Sequence, residues 1–399
     1  MVGYSSGQRG QTVNLLAPAY EGSNPSPTTT FIKPNLIEAR LPPGQNALAE
    51  PWASGYSDRS FMKILGKLFA VGLAALALAS CAKEDGPAPE GGRKLTLAVI
   101  PKGANQVYWK SVHAGAEKAR QEPGMEGVDI IWKGPLKEDD RESQIKVVED
   151  FIARRVSGIV LAPLDATALR PAVNAAVRAG IPVVIIDSSL DSTNYASYVA
   201  TDNYEGGRKA GRHLAHLLGG KGRVAMLRFL EGSASTEQRA QGFLDALKDS
   251  PGIEVASASQ RSGSTAEVAY QNSENLLAQF KRPGGGLGLD GIFCPNEFTT
   301  FAMLRALQDG GFAGKIKFVG FDSSEMLVTA MKKGELHGLV LQDPINMGRL
   351  GVKTMAAHLR GQKVPPRIDT GSTVATPENM HQPDISALLN PDYKKWLKE

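Results

Sequence analysis

Cysteine is nearly absent from this sequence, and this scarcity excludes a fold that is held together by disulfide bonds. The 399 residues include only Cys81 and Cys294, too few for a framework of disulfides. Neither cysteine stands at a zinc-ligand spacing from a histidine. Runs of lysine and arginine are missing too, and the formal net charge is only +4, so no dedicated nucleic-acid surface is predicted. No apolar stretch is long enough for a convincing transmembrane helix.

Motifs of catalysis and cofactor binding are equally scarce. Residues 286–291 match the dinucleotide pattern G-x-G-x-x-G, but they precede a predicted strand instead of joining a strand to a helix. Residues 232–236 do not complete the nucleophile motif G-x-S-x-G, and no histidine lies in an H-E-x-x-H sequence. We therefore predict no enzymatic activity, no catalytic residue, no cofactor and no metal site.

The first eighty-one residues divide into two parts of different composition. Residues 1–61 are rich in proline, glycine, serine, threonine and asparagine, which is typical of disorder or of an extension upstream of the true start. Residues 62–81 begin with two lysines near Met62, continue through the apolar stretch 68–79 and end in Leu-Ala-Ser-Cys. A short basic region, an apolar region and small residues before a cut are the pattern of a secretory signal.

The end of this signal resembles the lipobox of bacterial lipoproteins. The resemblance implies cleavage before Cys81 and attachment of lipid to its sulfur, with Met62 as the native start. Residues 82–94 would then be a flexible tether between the membrane and a folded domain. The alternative is a buried helix that contains an incidental cysteine.

From residue 95 onward, short apolar strands alternate with amphipathic helices. Leu95–Ile100 is the first predicted strand, and Arg141–Arg154 is a predicted helix with one apolar stripe. The alternation restarts with a predicted helix at Glu205–Leu218. Because repeated βα units form parallel sheets covered by helices on both faces, we predict an α/β fold with two doubly wound halves.

Two of the predicted strands end in a carboxylate. Val183–Ile186 is a run of four β-branched residues, typical of a strand buried on both faces, and Asp187 follows it. Phe318–Phe321 is likewise followed by Asp322. In open α/β sheets, ligands bind just beyond the carboxyl ends of the strands. We therefore predict that these two aspartates, from two sheets, face one cleft.

Six stretches of the sequence together resemble one known family. They are Trp-Lys-Ser-Val-His-Ala-Gly-Ala at 109–116, Ile-Pro-Val-Val-Ile-Ile-Asp at 181–187, Ala-Thr-Asp-Asn at 200–203, Arg-Ala-Gln-Gly-Phe at 239–243, Leu-Arg-Ala-Leu-Gln at 304–308 and Val-Gly-Phe-Asp at 319–322. In this order and behind a lipobox, residues 95–375 resemble the periplasmic sugar-binding proteins of ABC transporters, of the ribose- and galactose-binding type.

The resemblance implies a fold of two doubly wound lobes joined by a three-segment hinge that closes over a ligand, the type I periplasmic binding protein fold. It also implies a division of the chain, with crossings near residues 201–202, 342–343 and 370–371. The predicted parts are 95–201 plus 343–371 for lobe one, 202–342 plus 372–376 for lobe two, and 377–399 for a C-terminal tail.

The resemblance further implies eight ligand-binding residues whose chemistry suits a sugar or polyol. Asp187 and Asp322 match the carboxylates of the two lobes, and Arg239 matches the family's sugar-contacting arginine. The other matches are polar or aromatic: Gln106, Tyr108, Trp109, Asn296 and Gln342. Carboxylates, amides and arginine bond hydroxyls, while aromatic rings pack against the C–H faces of a sugar.

Each of these assignments has an alternative. Asp187 and Asp322 could be helix N-caps, and Arg239 could form a surface ion pair. Asn296 could form an Asx turn, and Gln342 could bond only to the backbone of the hinge. Neighbouring residues on a helix point about 100° apart, so we expect one ring of the Tyr108–Trp109 pair to pack in the core.

The chain also departs from the ribose-binding pattern at three positions. Ala162, Ser188 and Ser264 stand where that group has an asparagine, an arginine and an aromatic residue, and these changes argue against ribose itself as the ligand. The charged loop 132–140 follows a predicted strand, so it could supply Trp132 or Lys133 to the cleft. Its alternative is a solvated loop leading into a helix.

The expected function is that of a lipid-anchored, monomeric solute-binding protein in the periplasm or cell envelope. It would capture a sugar or polyol and deliver it to an ABC permease, without contact to nucleic acid. The alternative is a binding protein that feeds a sensor kinase or chemoreceptor. A LacI-type regulator shares this effector fold, but it would carry an N-terminal helix-turn-helix where this chain has its lipobox.

Overall fold

The computed structural model of the protein describes residues 94–104 and 106–397. The predictions for residues 1–61, for the signal 62–81 with Cys81, and for the tether up to residue 93 lie outside the described residues. Among the residues that are described, no helix is long and apolar enough to cross a membrane.

Strands and helices alternate along almost the whole described chain, as the apolar periodicity predicts. The strands are β1 (Leu95–Ile100), β2 (Val128–Trp132), β3 (Gly158–Leu161), β4 (Val183–Ile186), β5 (Ser197–Ala200), β6 (Lys221–Met226), β7 (Gly252–Ser257), β8 (Gly291–Phe293), β9 (Lys317–Phe321), β10 (Gly338–Leu341), β11 (Arg367–Asp369) and β12 (Thr373–Ala375). The helices are α1 (Val107–Arg120), α2 (Arg141–Ala153), α3 (Arg170–Arg178), α4 (Asn203–Leu217), α5 (Ala234–Leu247), α6 (Ala266–Ala278), α7 (Glu297–Asp309), α8 (Glu325–Lys332), α9 (Pro344–Leu359), α10 (Pro383–Leu389) and α11 (Lys394–Leu397).

The strands form two six-stranded sheets of the same design. The first has the order β2-β1-β3-β4-β5-β11, and the second has the order β7-β6-β8-β9-β10-β12. We call the first sheet with its helices lobe one and the second lobe two. Each order reverses direction beside its first strand, which is the point where open α/β sheets bind ligands. The predicted fold class, two doubly wound α/β lobes, is confirmed.

One strand departs from the parallel arrangement. β12 pairs antiparallel with β10, in register Leu339 to Ala375, whereas all other named strands pair parallel. Only residues 370–372 separate β12 from β11, which lies in the other sheet. The chain therefore runs straight on from one sheet into the other.

The chain passes between the two sheets at three places, after β5, after β10 and after β11. The first and third crossings are hydrogen-bonded to each other: the Thr201 hydroxyl lies 3.2 Å from that of Thr370 and donates to the carbonyl of Gly371 at 3.1 Å. These side-by-side segments form a narrow connection about which two lobes can rotate.

Each lobe contains one pair of helices held in close contact by glycine. A Cβ on Gly115 of α1 would lie 1.9 Å from the Ile345 carbonyl of α9, and one on Gly348 would lie 2.0 Å from that of Val112. In lobe two, Gly207 of α4 and Gly242 of α5 pack in the same way. These close packings fix α1 and α5, whose N-terminal halves carry residues of the candidate site.

Candidate functional site

A polar cavity lies between the carboxyl ends of the two sheets. It encloses about 390 Å³ of space not filled by protein atoms, which includes open solvent at the mouth. It is lined by Lys102, Gln106, Tyr108, Trp109, Glu138 and Asp187 of lobe one and by Ser233, Ser235, Thr236, Arg239, Asn296, Glu297, Phe298, Asp322 and Gln342 of lobe two and its crossing. All eight residues predicted to bind a ligand are among these, so the structure brings them together.

The two strand-end aspartates share an unusual backbone conformation. Asp187 has φ +63° and Asp322 has φ +64°, in the left-handed region that residues with a Cβ seldom occupy. Both are buried. Neither is a helix N-cap, since the caps of α4 and α8 are Asp202 and Ser324. Strained backbone of this kind clusters at binding sites, where the surrounding structure holds it.

Asp187 is held by groups from both sides of the cleft. Its carboxylate accepts a hydrogen bond from the Tyr108 hydroxyl at 2.8 Å and lies 2.7 Å from Nζ of the buried Lys102. Its carbonyl accepts from Nδ2 of Asn203, the first residue of α4, at 3.0 Å. These contacts fix the side chain and the strand end at the cleft wall.

Asp322 occupies the corresponding place in lobe two. Its Oδ1 accepts from Nε2 of Gln342 at 2.7 Å, and its Oδ2 lies 3.7 Å from Nη1 of Arg239. Burial raises the pKa of this carboxyl above its ordinary value, although the Arg239 charge and the Gln342 amide act in the opposite direction. Gln342 thus bonds to a site side chain, and not only to the backbone of the hinge.

Arg239 is a buried residue at the back of the cavity and not a surface one. Its Nε donates to Oδ1 of Asn203 at 2.8 Å, and its Nη1 donates to the carbonyl of Pro295 at 3.0 Å. The guanidinium stacks on the Phe321 ring, 3.9 Å from its centroid. The sequence alternative of a surface ion pair is therefore wrong, because the side chain is only 2% exposed.

The two aromatic side chains at the start of α1, Tyr108 and Trp109, have different roles. Trp109 packs into the apolar core of lobe one, as expected for one of the two rings, and its Nε1 donates to Oε1 of Glu138 at 2.5 Å. Tyr108 meets it edge to face and turns its hydroxyl to Asp187. Burial and the neighbouring Asp187 raise the pKa of Tyr108 well above its ordinary value, so its hydroxyl is a donor at neutral pH.

Asn296 and Gln106 stand at the starts of helices that point at the cavity. Oδ1 of Asn296 caps α7 by accepting from the backbone N–H and the hydroxyl of Thr299, so this oxygen is a helix N-cap and not part of the Asx turn considered as its alternative. Gln106 precedes α1, and its Oε1 is buried with no hydrogen-bond partner among the described residues.

Seven cavity residues were not identified from the sequence: Lys102, Glu138, Ser233, Ser235, Thr236, Glu297 and Phe298. Glu138 belongs to the charged loop whose Trp132 and Lys133 were considered for the cleft. Instead, Trp132 stacks on His113 with ring centroids 4.4 Å apart, and Lys133 pairs with Asp150 at the surface. Lys102 lies two residues after the end of β1, and this position was the one sequence signal that could have identified it as a cavity residue.

The two glutamates of the cavity are held in conditions that favour the protonated form. Burial, together with the neighbouring Asp322 and Glu138, raises the pKa of Glu297 from 4.5 to about 8. Burial also raises the pKa of Glu138, although Lys102 and the Trp109 indole oppose the shift. Glu297 is the first residue of α7, where a helix dipole favours the carboxylate, so burial outweighs the dipole here.

Direct contacts across the cleft show that the lobes are closed. Nζ of Lys102 donates to Oγ of Ser235 at 3.0 Å, and the backbone N–H of Ser235 donates to Oγ of Ser188 at 2.9 Å. Ser188 therefore serves as a contact between lobes at the position where the ribose-binding pattern has arginine. Ser264 makes a second such contact, to Asp139.

Stability should depend on the ionisation of Glu297. Between its unfolded pKa near 4.5 and its folded pKa of about 8, the unfolded chain has released a proton that the folded chain still holds. The free energy of unfolding should therefore fall as the pH rises from 5 to 8, by a few kcal/mol at about 1.4 kcal/mol per pKa unit. Chemical denaturation of the ligand-free protein at the two pH values measures the loss.

The variant Glu297→Gln should lose much less stability over the same range, since its amide does not titrate. Glu325→Gln is the matched control: Glu325 also begins a helix, α8, but is exposed, and its variant should follow the wild type. An equal pH dependence in wild type and Glu297→Gln would contradict this account of the glutamate.

Comparison with known proteins agrees with the fold. Residues 97–363 match the family described as a periplasmic binding protein domain. The ribose import binding protein of Haemophilus influenzae is 29% identical over 273 residues, which cover 68% of this chain and 88% of that protein. The D-ribose/D-allose-binding protein of Pseudomonas aeruginosa is 28% identical over 314 residues, covering 76% of this chain and 95% of that protein.

Solved structures show the same relationship. A carbohydrate transporter solute-binding protein from Agrobacterium radiobacter, in complex with D-arabinose, is 33% identical with a TM-score of 0.70, and the match covers 74% of this chain and 99% of that one. An ABC transporter solute-binding protein from Agrobacterium vitis with bound D-fucose is 34% identical with a TM-score of 0.68, covering 74% and 100%. The two-sheet fold, its hinge and the matched residues together show that this chain belongs to the periplasmic binding protein family, in its type I group.

Proposed function

We propose that the protein is a solute-binding lipoprotein of an ABC importer, which captures a sugar or polyol between its lobes and delivers it to a permease. The observation that carries the proposal is the pairing of Asp187 and Asp322. They come from equivalent strand ends of two sheets, share one strained backbone conformation, and line one buried cavity.

The other polar atoms of the cavity support a ligand with several hydroxyl groups. Oε1 of Gln106, Oε1 of Gln342 and Oγ of Ser233 are buried without a hydrogen-bond partner among the described residues. Buried polar atoms are rarely left unpaired, because each costs about 1–3 kcal/mol. A hydroxyl both donates and accepts, so one compact polyol could satisfy acceptors and donors in both lobes.

The mechanism needs no chemical transformation. A ligand that bonds Asp187 in lobe one and Asp322 in lobe two binds the closed arrangement better than an open one, so it shifts the population toward closure. The contacts of Ser235 with Lys102 and Ser188 then add to the closed state. A permease that recognises the closed surface would accept only the loaded protein.

Calorimetric titration with monosaccharides, cyclitols and linear polyols tests the proposal. At least one compound should bind with micromolar or tighter affinity and raise the unfolding temperature, since closure buries it between the lobes. Amino acids and nucleosides of similar size serve as controls and should give no heat of binding. A protein that binds one of these controls and none of the hydroxylated compounds would contradict the proposal.

The ligand identified by this titration can then be used to distinguish import from sensing. Deleting the gene should abolish uptake of the radiolabelled ligand by intact cells, and restoring it should recover uptake. If uptake persists while the cells lose a transcriptional or chemotactic response to the ligand, the sensor-kinase or chemoreceptor alternative is correct.

We further propose that the protein acts as a monomer in the cell envelope.

Anchoring at Cys81 is the second part of the proposal. The signal-like pattern of residues 62–81 supports it. Mass spectrometry of the membrane-associated protein should find Cys81 as the N-terminal residue with acyl chains attached, and Cys81→Ser should shift the protein out of the membrane fraction. An unmodified Cys81 inside a longer mature chain would contradict the anchor but leave the ligand site intact.

A further inference from the structure

The walls of the cavity carry more acidic than basic groups. Four carboxyl groups line it against two cations. Lys102 lies 2.7 Å from Asp187, and Arg239 lies 3.7 Å from Asp322, so both cations already have an acidic partner. The remaining two carboxyl groups are those of Glu138 and Glu297, and neither forms an ion pair within the described residues.

These two glutamates approach the cavity from opposite lobes. Glu138 belongs to the loop after β2 in lobe one, and Glu297 begins α7 in lobe two. Asp322 destabilises a negative charge on both glutamates, Asp187 does so at Glu138, and Glu138 does so at Glu297, with Tyr108 also lining the cavity. At Glu138, Lys102 and the Trp109 indole oppose this effect.

Hydrogen-bonding capacity in the cavity is biased in the same direction. Because Nε2 of Gln342 donates to Asp322, its Oε1 must face away from that carboxylate, and this buried oxygen has no donor among the described residues. Oε1 of Gln106 is also buried without a donor among the described residues. Both atoms can only accept, so a bound ligand must bring at least two donors to pair them.

A protonated amine on the ligand would match both the surplus of carboxyl groups and the unpaired acceptor oxygens. It brings one positive charge and three donors, whereas a hydroxyl brings one donor and no charge. A ligand carboxylate or phosphate would place a further negative charge beside carboxyl groups whose burial already disfavours the charged form. Charge-assisted hydrogen bonds to carboxylates are also stronger than neutral ones.

We propose that the preferred ligand is an amine-bearing polyol, such as an amino sugar, an aminocyclitol or an amino alditol, whose ammonium group lies between Glu138 and Glu297. This inference rests on the proposed function and specifies its ligand class. It makes the two glutamates the residues that determine specificity, while Asp187, Asp322 and Arg239 hold the hydroxyl groups.

Matched sets of ligands test the inference on the full chain at pH 7. Each set contains a neutral compound, its amine and its acid, for example galactose, galactosamine and galacturonate, or sorbitol, 1-amino-1-deoxysorbitol and gluconate. In at least one set, calorimetry should show the amine binding at least tenfold more tightly than the neutral compound, and no acid should bind. Neutral compounds that bind as tightly as their amines in every set would overturn the inference and leave the proposed function standing. Failure of all neutral and amine compounds would count against both.

Two variants assign the preference to the glutamates. Glu138→Gln and Glu297→Gln keep the shape of the side chain, and each should lower the amine-to-neutral affinity ratio at least tenfold. Glu267→Gln, an exposed site at the start of α6, is the control and should leave the ratio unchanged. The ratio is informative because a merely structural role would weaken both ligands equally. An unchanged ratio in both cavity variants would overturn the assignment.

Proton linkage gives an independent readout. An ammonium beside the glutamates favours their ionised form, so binding of the amine should release protons, detected as a heat of binding that depends on the ionisation enthalpy of the buffer. Binding of the amine without proton release would mean that the glutamates stay protonated beside it, which would overturn the inference.

Discussion

Replacing either strand-end aspartate by asparagine should weaken ligand binding by at least about 100-fold, equivalent to about 2.7 kcal/mol. Each carboxylate is buried, and a hydrogen bond to a charged group contributes about 1.5–3 kcal/mol. Asparagine retains the size of the side chain and tolerates the left-handed backbone at residues 187 and 322, so Asp187→Asn and Asp322→Asn test the charge and not the conformation. Calorimetry with the ligand found for the wild type measures the loss.

The control for both variants is Asp191→Asn. Asp191 lies on the surface of lobe one and pairs only with the exposed Arg170, so its variant should bind like the wild type. Asp187→Asn takes the carboxylate from the buried Lys102, so it should also cost about 3–5 kcal/mol of stability. Lys102 keeps its bond to Ser235, and we expect a folded protein with an unchanged circular dichroism spectrum. Wild-type affinity in both variants would contradict the assignment of the site.

Removing the charge of Arg239 should damage the fold as well as the site. The variant Arg239→Met keeps much of the volume but leaves the buried Asp322 and Asn203 without their partner. Loss of one member of a buried ion pair costs about 3–5 kcal/mol, and the stacking on Phe321 is lost too. Denaturant unfolding of the ligand-free protein should show a destabilisation of that order.

Arg212→Met is the matched control in the same lobe. Arg212 is an exposed residue of α4 that pairs with Glu205, and surface pairs contribute about 0–1 kcal/mol. If Arg239→Met does not fold, Arg239→Lys keeps the charge and should fold with weaker binding, because lysine cannot reach Asn203 and Pro295 in the same fork geometry. Equal effects of Arg239→Met and Arg212→Met would show that Arg239 is not structural.

The sequence predicted the architecture well because its strands are strongly apolar and regularly spaced. β4 is a run of four β-branched residues that is buried throughout, as a strand between two helical layers must be. The sequence missed β5, Ser197–Ala200, because its four residues carry no such run and its neighbours decide its pairing. The resemblance placed residues 372–376 in lobe two, but the antiparallel direction of β12 was not predicted, since a strand's direction depends on its connection and not on its composition.

The candidate site likewise contains residues that the sequence could predict and residues that it could not. Asp187 and Asp322 could be predicted because each follows an apolar run at a strand end, where ligands bind. Glu138 could not, because it lies in a loop rich in charge, and only the tertiary fold turns this one carboxyl inward to the Trp109 indole. Glu297 follows the helix cap Asn296, so its sequence position suggests an ordinary first-turn acid. Burial in the cavity, together with Asp322 and Glu138, raises its pKa, and no local sequence pattern indicates that.

A crystal structure of the protein with its ligand is the most direct test of the central claim, that carboxylates from both lobes hold one small molecule. The account predicts one ligand between the sheets, with oxygens of Asp187 and of Asp322 both within hydrogen-bonding distance of it, about 2.5–3.2 Å. A ligand that contacts only one of the two aspartates, or that lies outside the cavity they share, would contradict it.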